Sequence, residues 1–199
     1  MGNIFEDDVE FMTIEELEKE IGWPPPYTAT LGLHPYIRRF NRDVMGIEIG
    51  TGRGESAYLL LEKCPNIELI YTIDPFKEYM DWNGIIPGDK QAKCEGIAQK
   101  NLSKFGNRAK IISSTSQEAV NLFKEDFYDF LFIDGDHSVS AVMGDLSNYY
   151  SKIKSGGIVA IHDSNLDSVR SGVKAFKEQN RIRIPSTNTS NGVLFWYKA

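Results

Sequence analysis

The sequence is poor in the residues that mark a disulfide scaffold, a membrane segment or a secretion signal. Cys64 and Cys94 are its two cysteines among 199 residues, and their spacing fits neither a disulfide framework nor a metal-binding motif. No apolar run approaches the roughly 20 residues that span a bilayer. The N-terminus also lacks the basic and apolar regions of a signal peptide. We therefore expect a cytoplasmic protein with no membrane partner.

Positive charge is scarce as well. Lys and Arg total 22 against 28 Asp and Glu, which gives a net charge of −6. Proteins that bind nucleic acid without sequence preference carry a basic face that displaces counterions from the phosphates. The two small arginine clusters, at 38–42 and 181–183, do not build such a face. We expect no nucleic-acid partner.

From Val44 onward, short apolar runs alternate with amphipathic stretches. The runs are nearly continuous in apolar residues, as in strands covered on both faces, and lie at 44–49, 68–74, 109–114, 128–134 and 156–163. Helical spacing follows at 55–64, 91–105, 116–124 and 138–154. Such alternation predicts an α/β fold with a Rossmann-like, doubly wound sheet.

The two ends of the chain differ from this pattern. Residues 181–185 and 191–198 are strand candidates joined by a polar stretch, which predicts an antiparallel hairpin. We expect a mostly parallel, seven-stranded sheet with an antiparallel edge strand, within one globular unit over 44–199. Residues 1–43 predict a capped helix followed by a proline-rich arm. The arm either crosses the ligand end of the sheet or only covers an edge, and it could serve a contact in a homo-oligomer.

A glycine-rich turn follows the first strand. Glu48 precedes Gly50, Gly52 and Gly54, and alternating glycines at this place allow a ligand to approach the backbone closely. The dinucleotide fingerprint requires its third glycine at the position of Glu55. A carboxylate there would face a pyrophosphate unfavourably, so the turn favours a ligand without phosphates.

Asp74 ends the second strand, 20 residues after Gly54. An acidic side chain at this place can accept hydrogen bonds from the hydroxyls of a ribose. The alternative is an aspartate that caps a turn, helped by Pro75. The glycine turn beside it favours the ribose.

At this point the sequence resembles a known family. "EIGTGRGES" (48–56) and "IDPF" (73–76) resemble the first two motifs of class I S-adenosylmethionine-dependent methyltransferases, and the resemblance runs over 44–199. "STSQEA" (114–119) is similar to the adenine-flanking segment of catechol-type O-methyltransferases. "FIDGDHS" (132–138) and "VAIHDSN" (159–165) resemble the next motifs as macrolide-sugar O-methyltransferases and cephalosporin hydroxylase-like proteins have them.

The resemblance implies S-adenosyl-L-methionine as cofactor and a small-molecule hydroxyl as methyl acceptor. It implies a set of cofactor-binding residues in which Glu48 attracts the ammonium, Asp74 the ribose, and Ser116 and Gln117 the adenine. The full set is Glu48, Gly50, Thr51, Gly52, Gly54, Ser56, Asp74, Pro75, Ser116, Gln117 and Asp134.

Histidines and carboxylates cluster after the fourth and fifth strands. By the catechol-type resemblance, Asp134 and Asp163 would hold Mg²⁺ or another divalent cation, with His162 as a further ligand because Ser164 stands where that family has an amide. His137 stands where the family has its base, and His162 is the alternative base. Asp136 could instead cap the helix that begins near Ser138.

Two further interpretations stay open. Tyr79 and Trp82 lie in a long connection that forms either a substrate lid or ordinary surface packing. Two rival functions also remain, an NAD-dependent oxidoreductase and a catalytically silent module that only binds the cofactor.

Overall fold

Helices and strands alternate along the chain in the order that the sequence pattern predicts. The structure, a computed structural model, describes residues 32–81, 84–182, 188–190 and 192–199. Its strands are β1 Val44–Ile49, β2 Ile67–Asp74, β3 Tyr79–Asp81, β4 Gly84–Ile86, β5 Ala109–Ser113, β6 Tyr128–Ile133, β7 Ile153–Ile161, β8 Asn188–Ser190 and β9 Val193–Tyr197. Its α-helices are α1 His34–Ile37, α2 Glu55–Lys63, α3 Gly88–Ser103, α4 Ser116–Ala119, α5 Val139–Tyr149 and α6 Asp167–Asn180.

The main sheet has the strand order β5-β2-β1-β6-β7-β9-β8. The first five of these strands are parallel, whereas β9 runs antiparallel to β7 and pairs antiparallel with β8. Six strands have five or more residues, and the three-residue β8 adds a short seventh at the edge. The predicted α/β class, the parallel sheet and the antiparallel C-terminal hairpin are confirmed.

Several predicted boundaries are wrong. The predicted 138–154 helix ends at Tyr149 and a short 3₁₀ turn follows, so β7 begins at Ile153, where it pairs with Tyr128 of β6. Strand β8 lies within the polar stretch that the sequence pattern assigned to the hairpin turn. Helix α6 is not among the predicted elements, although Val169, Val173 and Phe176 repeat at helical spacing on its buried side.

Some predictions fall outside the described residues. These are the N-terminal helix and most of the proline-rich arm, Trp82, and residues 183–185 of the first hairpin strand. The predicted lid region contains a two-stranded antiparallel pair, β3 with β4, and Tyr79 is largely exposed there. No helix in the described part of the chain is long and apolar enough to cross a membrane.

Both faces of the sheet are covered, as the apolar strands require. One face packs against α1 and α2, where Ile37, Tyr58 and Leu61 join a cluster with the strand residue Phe130. The other face packs against α5 and α6 around Leu146 and several aromatic side chains. Buried on both sides, the sheet exposes to ligands mainly the loops at its strand ends.

A buried carboxylate ties the amino ends of the central strands together. Asp129 of β6 is 1% exposed and accepts hydrogen bonds from the Met45 backbone N–H (2.8 Å), Arg42 Nη2 (2.6 Å) and Lys154 Nζ (3.0 Å). Burial raises the pKa of this carboxyl, but these three donors outweigh burial and lower the pKa below its usual value. The ionised form therefore stabilises the fold.

We expect Asp129→Asn to lower the free energy of unfolding by about 1–3 kcal/mol at pH 7, because two cations lose their buried partner. A lowered folded-state pKa gives stability above the unfolded pKa of about 3.9 that is lost as the pH falls further. The difference between variant and wild type should therefore shrink below about pH 4. Urea unfolding at pH 7 and at pH values below 4 measures the stability loss and its pH dependence. The exposed Asp126→Asn is the matched control and should change stability by less than about 0.5 kcal/mol; equal effects of the two variants would contradict the assignment.

Candidate functional site

The glycine turn and the loop after β6 touch through their backbones. Gly50 has φ +92°, and a Cβ at this position would lie 2.1 Å from the backbone oxygen of Asp134. The Asp134 N–H donates to the Ile49 carbonyl (2.7 Å), and the Gly50 N–H donates to the Ile73 carbonyl (2.9 Å). Only glycine fits this contact, for reasons of both conformation and space. By contrast, a Cβ at Gly52 would meet no atom within 4 Å, so the turn is open on that side.

Asp74 holds the glycine turn in shape. Its Oδ2 accepts hydrogen bonds from the N–H groups of Thr51 (3.1 Å) and Gly52 (3.0 Å), and its Oδ1 accepts from Phe76 N–H (2.8 Å). Burial raises the pKa of Asp74, while these donors oppose the rise. Asp74 therefore has the turn-capping role that the sequence left open. Pro75 lies within the short turn that the bond from Asp74 to the Phe76 N–H closes. The ribose role stays a prediction.

Glu48 is a buried carboxyl without a partner among the described residues. It is 0% exposed, lies between Thr72 and Phe132 in strand register, and neither carboxyl oxygen has a hydrogen bond. Burial, reinforced by the nearby Asp134, Glu55 and Asp74, raises its pKa well above the usual value. Buried polar groups are nearly always satisfied in native proteins. An unsatisfied carboxyl next to an open glycine turn is therefore a place for a cationic or hydrogen-bonding ligand.

Glu55 has a partner that sequence reasoning missed. Its carboxylate lies 2.6 Å from Arg53 Nη2, and the side chains of both residues are 15% exposed or less. Burial raises the pKa of Glu55 although Arg53 works against the rise. Ser56 follows in the first turn of α2 and is half-buried.

Two histidines and two aspartates meet at the ends of β6 and β7. Asp134, His137, His162 and Asp163 each offer one ligand atom, and these atoms all lie within 4.8 Å of one another. His162 Nδ1 is 2.8 Å from Asp134 Oδ1, and His137 Nε2 is 3.2 Å from Asp163 Oδ2. Asp163 adopts φ +49°, an uncommon conformation for a residue other than glycine. The structure thus brings together both predicted histidines and both predicted carboxylates.

The opposite charges in this cluster stabilise one another, which lowers the pKa of Asp134 and raises the pKa of both histidines. Burial raises the pKa of Asp134, but the two nearby histidines, His137 at 3.7 Å and His162 hydrogen-bonded at 2.8 Å, outweigh it and the net pKa is lowered. The Asp134 carboxylate, 3.7 Å from His137 Nε2, and the Asp163 carboxylate raise the pKa of His137 against the effect of burial. Burial lowers the pKa of His162, but the same carboxylate outweighs it and the pKa is raised. The cluster is therefore a polar pocket that stabilises positive charge next to Asp134.

Ser164 and Asp136 lie outside this cluster. The Ser164 hydroxyl donates to the Gly192 carbonyl (2.9 Å), so it is directed at the C-terminal hairpin. Asp136 Oδ1 accepts from the Ser138 N–H (2.7 Å), and the Ser138 hydroxyl caps α5 by accepting from the Ala141 N–H. Ser138 is therefore the N-cap of α5, and Asp136 does not have the capping role that the sequence left open but instead bonds the N–H of the N-cap residue.

Helix α5 makes two hydrogen bonds to Ser116, the first residue of α4. Ser116 Oγ donates to Asp145 Oδ1 (2.5 Å), and the Tyr149 hydroxyl donates to the Ser116 carbonyl (2.7 Å). Gln117 is exposed beside them. Sequence reasoning missed Asp145, and the available signal was a carboxylate placed on the apolar side of the α5 helical pattern.

Comparison with known proteins agrees with this geometry. A family model described as a methyltransferase domain matches residues 47–164, more than half of the chain. A Mycobacterium ulcerans protein named "Putative O-methyltransferase" is 22% identical over 97% of this chain and 86% of its own length. The O-methyltransferase TomG from Streptomyces achromogenes, solved in complex with SAM, superposes with a TM-score of 0.62 at 16% identity, covering 99% of this chain and 92% of its own. Spermidine synthase from Thermotoga maritima also superposes (TM-score 0.57, 16% identity, 87% of this chain and 60% of its own), so the fold alone does not decide the reaction.

The mostly parallel sheet with its antiparallel hairpin and the glycine turn after β1 define a Rossmann-like fold, in which ligands bind at the carboxyl ends of the strands. Because the family model covers more than half of the chain, the protein belongs to the methyltransferase-domain family and is a class I S-adenosylmethionine-dependent methyltransferase. The comparisons do not favour an NAD-dependent oxidoreductase.

The unpaired Glu48 gives a testable pH dependence. The raised folded-state pKa means that the contribution of Glu48 to stability is fully present below its unfolded pKa of about 4.3 and is lost as the pH rises through the folded pKa. Glu48→Gln removes this titration. We expect the ligand-free variant to be more stable than wild type at pH 8, by about 1–3 kcal/mol, and this advantage should disappear toward pH 4.

Urea unfolding of ligand-free protein between pH 4 and pH 8 measures this difference. The exposed Glu68→Gln on β2 is the matched control and should follow wild type within about 0.5 kcal/mol throughout. If Glu48→Gln and wild type keep a constant difference over this range, Glu48 is not the unpaired buried acid described above.

Proposed function

We propose that this protein transfers a methyl group from S-adenosylmethionine to a hydroxyl oxygen of a small molecule, assisted by a divalent cation. The names of its relatives support an oxygen acceptor, since the Mycobacterium ulcerans protein and TomG are both named as O-methyltransferases. The acidic composition supports a small molecule over a nucleic acid.

The observation that carries this proposal is that Asp134 contacts both the glycine turn and the histidine–aspartate cluster. Its backbone carbonyl abuts Gly50 of the cofactor turn, while its carboxylate bonds His162 in the histidine–aspartate cluster. One residue thus joins the place for the cofactor to a cluster able to bind and deprotonate an acceptor. Methyl transfer requires the acceptor oxygen in line with the sulfonium, and holding two reactants together accounts for much of such a rate.

The cofactor residues follow from this placement. Glu48 offers a carboxylate to the ammonium of the cofactor, and the open Gly52 side of the turn admits its tail. Asp74 has one carboxylate lone pair beyond its three backbone donors to give to the ribose. The contacts proposed for the cofactor come from Glu48, Gly50, Thr51, Gly52, Gly54, Ser56, Asp74, Pro75, Ser116, Gln117 and Asp134.

For the cation we propose Asp134, Asp163 and His162 as ligands. Two carboxylates within 4.8 Å of each other suit a divalent ion, and the imidazole shifts the preference from Mg²⁺ toward softer ions such as Mn²⁺ or Fe²⁺. When bound, such an ion lowers the pKa of a coordinated hydroxyl. His137, whose Nε2 lies 3.2 Å from Asp163 Oδ2, would accept the proton of the acceptor hydroxyl.

Isothermal titration calorimetry tests the cofactor assignment. We expect micromolar binding of S-adenosylmethionine and no measurable binding of NAD, because Glu55 and the missing third glycine disfavour a pyrophosphate. Binding of NAD alone would overturn the proposal. Unaltered cofactor affinity without methylation of any acceptor in a broad panel of phenols, sugars and polyketides would indicate a silent binding module.

Exhaustive chelation before the methylation assay tests the cation. Activity should fall at least tenfold and return on addition of Mn²⁺ or Mg²⁺. The affinity for S-adenosylmethionine should change little, because the contacts proposed for it at the glycine turn do not include the ion. Full activity after chelation, with no metal detected by elemental analysis, would remove the cation from the mechanism.

His137→Ala should lower kcat by roughly 10²–10⁴-fold, the usual contribution of a positioned base. Its effect on S-adenosylmethionine affinity should be small because the ring contacts Asp163 and not the turn. His34→Gln is the control, since His34 lies beside Cys64 at the other end of α2 and should retain full turnover. Near-normal turnover of His137→Ala would transfer the role of the base to His162.

A further inference from the structure

Helix α5 fixes the orientation of Ser116, the first residue of α4. Asp145 is 6% exposed and accepts the Ser116 hydroxyl at 2.5 Å. One turn later, Tyr149 is fully buried and donates its hydroxyl to the Ser116 carbonyl at 2.7 Å. The connection between β5 and α4 is also bonded to the end of β2, because the Ser114 N–H donates to the Asp74 carbonyl (3.1 Å). Ser116 is therefore held at both its backbone and its side chain.

The bond to Asp145 also determines the polarity of the Ser116 hydroxyl. Burial raises the pKa of Asp145 to about 6, with Asp136 adding to the rise and the Ser116 bond opposing it, so the carboxylate is ionised at pH 7.5. An ionised carboxylate can only accept hydrogen bonds. The single proton of the Ser116 hydroxyl is thus committed to Asp145, and only oxygen lone pairs remain for a ligand.

We propose that Asp145 is a specificity-determining residue that acts through Ser116 and selects a purine with an amino group at C6 over one with a carbonyl there. An adenine amino group donates to the lone pairs of Ser116, whereas a hypoxanthine carbonyl faces them with lone pairs of its own. The inference rests on the proposed function, which places the adenine of the cofactor at Ser116. The structural basis is the buried carboxylate of Asp145 on α5. An apolar residue would suffice at this position if α5 only had to pack against α4, because burying a carboxylate costs free energy.

The test compares the binding of S-adenosylhomocysteine and S-inosylhomocysteine at pH 7.5 by calorimetry. Wild type should prefer the adenine compound by about tenfold or more, the value of one hydrogen bond gained and one repulsion avoided. In Asp145→Asn the amide can donate to Ser116 Oγ and free the hydroxyl proton for a carbonyl. The preference should then fall to within about threefold of equality.

Two further variants separate specificity from loop stability. Tyr149→Phe loses the bond to the Ser116 carbonyl but leaves the hydroxyl on Asp145, so it should weaken both ligands equally and keep the preference. Ser116→Ala should abolish the preference, and this result is decisive even where Asp145→Asn folds poorly. Retention of the wild-type preference by Ser116→Ala would overturn the inference. Wild type that binds neither compound would instead overturn the proposed function.

Discussion

The contact between Gly50 and the backbone of Asp134 is the constraint on which the rest of the site depends. A side chain of any size at residue 50 would overlap the Asp134 carbonyl, so the turn after β1 and the loop after β6 pack at backbone distance. The adjacent parallel pairing of β1 and β6 brings both loops to the same sheet edge. Because Asp134 also bonds His162, this one contact sets the separation between the cofactor turn and the histidine–aspartate cluster. Displacing either loop would move both parts of the proposed reaction apart.

The site combines strained and unsatisfied groups with a well-satisfied scaffold. Glu48 is fully buried without a hydrogen bond, and the hydroxyls of Thr51 and Thr72 beside it are likewise unpaired within the described residues. At the opposite end of the same strands, Asp129 has three donors and a lowered pKa. Buried carboxyls thus stabilise the fold where they are paired and weaken it where a ligand is to bind. Such local loss of stability is common at binding sites, where preorganised polar groups await a partner.

Helix α5 connects the two halves of the ligand site. Its amino end, capped by Ser138, directly follows His137 of the cluster, and its middle holds Ser116 through Asp145 and Tyr149. The acceptor end and the adenine end of the proposed site are therefore positioned by one rigid element packed on the sheet. This arrangement explains how a one-turn helix, α4, can present Ser116 in a defined orientation although so short a helix has little stability of its own.

Local signals in the sequence predict the five parallel strands, most of the helices between them, the antiparallel hairpin and the glycine turn, because periodicity and glycine placement are local. They do not predict α6 or the strands β3, β4 and β8. The sequence also predicts that Glu48, Asp74 and the cluster of His137, His162, Asp134 and Asp163 lie at one edge of the sheet, since parallel strands end at one edge. Only the tertiary structure decided that Asp74 bonds the turn, that Ser164 faces the hairpin and that Asp145 holds Ser116. Each of these depends on where a side chain points across a gap of 23 to 29 residues in the chain. Such directions follow from the packing of helices on the sheet and leave no periodic trace in the sequence.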